Sequence, residues 1–121
     1  MNPKVSVIAP VYNTSKYLEE FLNSVLFQSL SEIEIICTND GSSDNSLDIL
    51  KKYAQKDSRI KIINKQNEGP GAARNDGAKI ATGDYLLFVD SDDFLEQNAL
   101  ETLYNQIKND DSDIIFYNVN Y

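Results

Sequence analysis

Asp90, Asp92 and Asp93 fall within four consecutive residues, Asp90-Ser91-Asp92-Asp93, directly after the apolar run Tyr85-Leu86-Leu87-Phe88-Val89. A run of that kind reads as a buried strand, so three carboxylates arrive together at its C-terminal end. Carboxylates held this close repel one another and lose hydration. A hard divalent cation offsets both effects, because Mg²⁺ and similar ions take oxygen ligands, commonly one or two carboxylates together with substrate phosphates. The same residues could instead form a polar turn whose Asp caps the next helix. A second acidic segment, Asn39-Asp40-Gly41-Ser42-Ser43-Asp44, follows another strand-like run and favours the metal reading.

The elements that must position these groups alternate between two periodicities. Val5 to Ala9, closed by Pro10, reads as a strand. Tyr17, Leu18, Phe21, Leu22, Val25 and Leu26 then line one face of a helix. Ile33 to Thr38 is a second strand, rich in β-branched residues. Leu47, Leu50, Tyr53 and Ala54 mark a second helix with Ser43 or Asp44 as its N-cap. Ile60 to Ile63, Tyr85 to Val89 and Asp113 to Tyr117 supply three more strands. Helices are expected over Gly71 to Ala81, and around Leu100, Leu103, Tyr104 and Ile107, beginning near Phe94. Strand–helix alternation predicts an α/β fold with a Rossmann-like, mostly parallel sheet and helices on both faces. The 121 residues read as one domain, and ending on a freshly begun strand suggests the N-terminal part of a longer protein.

Composition narrows the chemistry. With no histidine, imidazole acid–base catalysis, His-ligated zinc and Ser-His-Asp triads are excluded. A net charge of −8 argues against nucleic acid or an anionic membrane surface as the main partner. The single Cys37 lies in an apolar run and reads as a small core residue, so no internal disulfide forms and a reducing compartment fits. Neither a signal peptide nor a membrane-spanning run is visible.

In open parallel sheets ligands gather at the C-terminal ends of strands. The first strand ends in Pro10-Val11-Tyr12-Asn13, without the Gly-x-Gly-x-x-Gly turn of a dinucleotide-binding domain, and no Walker-type Gly-Lys-Ser/Thr occurs anywhere. Gly69-Pro70-Gly71-Ala72-Ala73-Arg74 looks like such a turn only loosely, and it follows the third strand. A receiver domain would need an acidic pair after the first strand. A calcium-binding or structural domain would explain the Asp clusters but not Tyr12 and Arg74 at neighbouring strand ends.

Pro10-Val11-Tyr12-Asn13, Asn39-Asp40-Gly41-Ser42-Ser43-Asp44, Asn67-Glu68-Gly69-Pro70-Gly71-Ala72-Ala73-Arg74-Asn75 and Asp90-Ser91-Asp92-Asp93 occur in the order and spacing of family 2 glycosyltransferases, which the chain resembles from Val5 to about Tyr117. The resemblance implies an inverting enzyme of the nucleotide-diphospho-sugar transferase type A fold, represented here by its donor-binding half. It implies a UDP-sugar donor, a saccharide or lipid-linked acceptor, and Mn²⁺ or Mg²⁺ as cofactor. Tyr12 would stack on the base, and Asp40, acceptor-only when ionised, would take the uracil N3–H. Arg74 would reach the base from the third-strand side, Asp90 would bind ribose, and Asp92, in an Asp-x-Asp motif, would hold the metal. Pro10 and Asn13 complete the expected donor site, and Asp93 would support the metal or cap the following helix. The plainer readings are a Tyr under a loop, an Asp-Gly turn at Asp40 and a surface Arg at residue 74.

An inverting transfer also needs a general base. Downstream of Asp93 the chain offers Glu96, Glu101, Asp110, Asp111 and Asp113, none of which matches the family's base. Glu96 and Glu101 read as exposed helix positions. The alternative is therefore a non-catalytic UDP- and metal-binding fragment that lacks the base and the acceptor site. By the same resemblance the parent belongs to bacterial polysaccharide biosynthesis, in the cytoplasm or peripheral to the inner face of the membrane.

Overall fold

Five runs of aliphatic and β-branched residues become five strands, and four amphipathic stretches between them become helices. The structure, a computed structural model, describes residues 3–110 and 114–116. In chain order these are β1 (Val5–Val11), α1 (Ser15–Leu26), β2 (Ile33–Asp40), α2 (Ser46–Lys56), β3 (Ile60–Lys65), α3 (Pro70–Ile80), β4 (Tyr85–Phe88), α4 (Ala99–Asp110) and β5 (Ile114–Phe116). The sheet runs β3-β2-β1-β4-β5 with every pair parallel. The expected α/β architecture is therefore present.

Strand order dictates where the helices lie. From β1 the chain steps outward to β2 and β3, then crosses back to β4 on the far side of β1. Right-handed crossovers place α1 and α2 on one face and α3 on the other. Val5, Val7, Ala9 and Val11 point to the first face and join Leu18, Phe21, Leu22, Leu50 and Leu100 in the core. Ile8 and Ile36 point to the second, beneath α3. There Gly77 is required by close approach: a Cβ at this position would stand 2.7 Å from Ile8 Cγ2. The α3–β4 connection is held by the buried Glu34, whose carboxylate accepts from Ser6, Lys61 and both the backbone and hydroxyl of Thr82.

Two of the boundaries that differ from the sequence expectation have a clear physical cause. β1 continues through Pro10 to Val11 instead of closing at Pro10. Val89 N–H donates to the Ile8 carbonyl, so Ile8 and, two residues on, Pro10 direct their backbone polar groups toward β4. β4 ends before reaching Pro10, and the N–H that proline lacks has no ladder partner to lose. The last helix begins at Ala99, not near Phe94. The intervening segment is held off the helix by α1 and the turn after it: Ser24 Oγ accepts from Leu95 N–H, and Gln28 donates to the Glu96 carbonyl while accepting from Leu100 N–H. Glu96 accordingly lies in a loop, and Asp93 caps no helix. Asp110 is the last residue of α4, whereas Asp111 and Asp113 lie outside the described residues.

Candidate functional site

Winding reverses at β1, which has β2 on one side and β4 on the other. The crevice beyond their C-terminal ends is where such sheets take ligands. It holds a cleft of about 350 Å³ lined by Pro10, Tyr12, Thr14, Asp40, Asn67, Gly69, Pro70, Asp90, Ser91 and Asp92. Five of the residues expected from sequence thus share one cleft, contributed by three strand ends. Tyr12 is 51% exposed, so it is not a ring packed under a loop.

Asp40 is the last residue of β2, not a turn residue, and is almost wholly buried. Its two oxygens accept separate backbone N–H groups, Oδ1 from Glu68 at 2.8 Å and Oδ2 from Gly69 at 3.0 Å. Its carbonyl accepts from the Asn67 side chain at 3.1 Å. Asp40 is therefore both a wall of the cleft and the clamp of the β3–α3 loop. Gly69, with φ 98°, turns that loop into α3, where Pro70 occupies the first position and Gly71 is already helical.

The β1–α1 loop is tied in the same manner. Asn13 adopts a left-handed φ of 52°, a conformation that Asn tolerates better than most residues. Its side-chain oxygen accepts from Ser43 N–H at 2.8 Å and from Asp44 N–H at 3.3 Å, and its own N–H donates to Ser42 Oγ. Asn13 thus turns toward the β2–α2 loop. The N-cap position of α2 falls on Asn45, not on Ser43 or Asp44, yet the Asp44 carboxylate still holds the start of two helices: Oδ2 accepts from Ser15, first in α1, and Oδ1 from Ser46, first in α2. Desolvation would raise its pKa, and these hydrogen bonds more than offset that, holding the carboxyl at about 2.

In the acidic turn, Ser91 is buried and its hydroxyl meets that of Thr14 at 2.9 Å. With Ser91 pinned, Asp90 and Asp92 remain exposed on either side. One carboxylate oxygen each from Asp90, Asp92 and Asp93 can be chosen so that all three lie within 4.8 Å of one another. Desolvation, then the neighbouring charges of Asp92 and Asp90, raises the pKa of Asp93. An all-oxygen set of this kind suits a hard divalent cation. Arg74, on α3, reaches the turn and donates through Nη2 to Asp90 Oδ1 at 3.1 Å.

Thr14, Asn67 and Ser91 also line the cleft, though composition and periodicity single out none of them. Asn67 and Ser91 do stand inside the quoted motifs, which was the one available signal. Glu96 and Glu101 are exposed, as expected, and neither is among the cleft's walls. Cys37 is buried with its thiol pushed up to about 12 by desolvation, consistent with a core residue.

Residues 6–121 match the family model described as glycosyl transferase family 2. The chain is 41% identical over 119 residues to the glycosyltransferase GlyG of Streptococcus pneumoniae, covering 98% of this chain and 40% of that protein. Its structure superposes on residues 1–349 of S. aureus TarS in complex with UDP with a TM-score of 0.80 at 38% identity, covering 88% of this chain and 32% of that one. It also superposes on the mannosyltransferase PcManGT of Pyrobaculum calidifontis, solved with GDP-Man and Mn²⁺, with a TM-score of 0.75 at 25% identity, covering 89% and 32%. The chain thus spans well under half of each of these relatives.

Proposed function

The chain belongs to glycosyl transferase family 2, and on that premise we propose that it forms the donor-binding part of an inverting transferase that moves a sugar from a UDP-linked donor to a saccharide or lipid-linked acceptor. One observation carries the reading. An exposed aromatic ring, a buried carboxylate and an acidic cluster from three strand ends converge on a single cleft at the switch point of the sheet. TarS binding UDP is consistent with this choice of nucleotide.

Tyr12 offers its ring to the base, and stacking of this kind contributes about 1–3 kcal/mol. Each Asp40 oxygen has accepted one backbone N–H and keeps capacity for another, so the carboxylate can still take the imide N–H of uracil. Cytosine lacks that donor. Pro10 and Asn13 shape the loop that carries Tyr12, Asp90 faces the ribose hydroxyls, and Arg74 serves the base or a phosphate. Asp92, with Asp90 and Asp93 beside it, would hold Mn²⁺ or Mg²⁺, whose positive charge would steady the departing diphosphate. The general base and the acceptor wall we assign to parts of the parent other than this chain. A lipid-linked acceptor would bring the parent to the cytoplasmic face of a membrane. Among the described residues no helix is long and apolar enough to cross one.

Calorimetric titration with UDP, CDP, ADP and GDP, each with and without Mn²⁺, tests the assignment. UDP is expected to bind most tightly, and Asp92→Asn to remove only the part of its affinity that depends on metal. Equal affinity for all four diphosphates would overturn the uracil reading.

A further inference from the structure

Among the described residues, Arg74 is the one cation within ion-pair distance of any carboxylate of the acidic turn, and the one it meets is Asp90. Two further basic groups, Lys65 at the C-terminal end of β3 and Arg59 at its other end, are committed elsewhere. Lys65 pairs with both Asp76 and Glu68. Arg59, the second arginine of the chain, spends its guanidinium on Asp57 and on the Ser31 and Leu26 carbonyls. Arg74 makes a single end-on contact of 3.1 Å through Nη2, and both side chains are well exposed, 38% and 54%. An exposed, one-point ion pair is weak and exchangeable. Its helix, by contrast, is fixed: the Ala73 carbonyl accepts from Thr38, and Gly77 lies against Ile8. Any exchange at this site therefore moves the Arg74 side chain and not α3.

We propose that Arg74 is a resident counter-ion which occupies Asp90 in the ligand-free site, so that divalent metal and Arg74 compete for the acidic turn until the nucleotide diphosphate draws Arg74 away. The inference rests on the donor-site reading above and adds to it a reason for ordered loading. Asp90 engaged by Arg74 is a poorer partner for a cation, and the positive guanidinium also repels one. A diphosphate offers the guanidinium several anionic oxygens in place of one carboxylate oxygen, and Arg binds phosphate well in that way. Release of Arg74 then leaves Asp90 free beside Asp92. Linkage makes the effect reciprocal: whatever weakens the Arg74–Asp90 pair strengthens metal binding, and bound metal favours nucleotide. Arg74 is thus a positioning residue for the metal site as well as a contact for the donor.

The experiment measures Mn²⁺ binding to the whole chain by loss of the free-ion electron paramagnetic resonance signal, without nucleotide and then with saturating UDP. Four proteins are compared: wild type, Arg74→Gln, Arg74→Lys and Lys79→Gln. Lys79 lies five residues further along α3 and is exposed, so its substitution makes the same change in net charge away from the turn. Without nucleotide, Arg74→Gln is expected to bind Mn²⁺ about three- to ten-fold more tightly than wild type, Arg74→Lys less so, and Lys79→Gln within about two-fold of wild type. UDP should tighten Mn²⁺ binding less in Arg74→Gln than in wild type. If Arg74→Gln binds Mn²⁺ alone no better than wild type, or if Lys79→Gln gains as much, the counter-ion role is wrong while the donor-site reading stands. If wild type binds no Mn²⁺ even with UDP present, the donor-site reading itself fails, and this inference with it.

Discussion

Asp40 combines two duties that a sequence motif cannot separate. Its side chain faces the cleft, and both of its oxygens also hold backbone N–H groups of the β3–α3 loop. Asp40→Asn would replace one acceptor with an NH₂ group pointed at an N–H, leaving two donors face to face in a buried place. The domain should lose about 1–3 kcal/mol, the penalty for an unsatisfied buried polar group, seen as a lower urea midpoint with an unchanged slope. UDP affinity should fall with it. Unchanged stability would mean that the loop is held by other contacts, such as that of Asn67 to the Asp40 carbonyl. Tyr12 and Asp92, by comparison, have no such structural duty in their exposed positions, which makes them the cleaner probes of binding.

The elements are joined at the cleft rim by side chains, not by the sheet alone. Asp44 takes the first N–H of α1 and of α2, and so fixes both helix N-termini with one carboxylate. Its folded pKa, about 2, lies below the ordinary 3.8. A depressed carboxyl contributes stability that is present above the unfolded value and lost as pH falls through the folded one. Asp44→Ala should therefore cost about 0.5–2 kcal/mol near neutrality, solvent screening favouring the lower end. Its deficit against wild type should shrink as pH drops from about 5 toward 2. Thermal unfolding of both proteins across that range checks it, and a deficit independent of pH would show that the carboxylate's charge is not what counts.

At the scale of the whole molecule, a five-stranded parallel sheet of the nucleotide-diphospho-sugar transferase type A fold presents the proposed donor cleft, and among the described residues neither Glu96 nor Glu101 lies on its walls. Metal and diphosphate binding can favour departure of the nucleotide, yet an acceptor hydroxyl needs positioning and deprotonation as well. We expect these 121 residues to give little or no transfer from UDP-glucose, UDP-galactose or UDP-N-acetylglucosamine with Mn²⁺ and a panel of sugar acceptors. The full-length parent should transfer one of them. The readout is acceptor-dependent UDP release. Robust release by the chain alone would place a working base between Glu96 and Asp113, or on a second copy.

Local pattern alone was enough to read every described strand and helix and the α/β class, because period-two and period-3.6 burial is written into neighbouring residues. It also located the clustered carboxylates and the family motifs. The order β3-β2-β1-β4-β5 depended on which strands pair, and that is a property of residues far apart in the chain. So did the passage of β1 through Pro10, which is permitted only because β4 stops short, and the delayed start of α4, which Ser24 in α1 and Gln28 just beyond it enforce. Within the site, residue types told of carboxylates, a ring and a guanidinium, but not of their partners. That Asp40 clamps a loop 28 residues away, and that Arg74 already rests on Asp90, follows only from the directions in which folded strands and helices point their side chains.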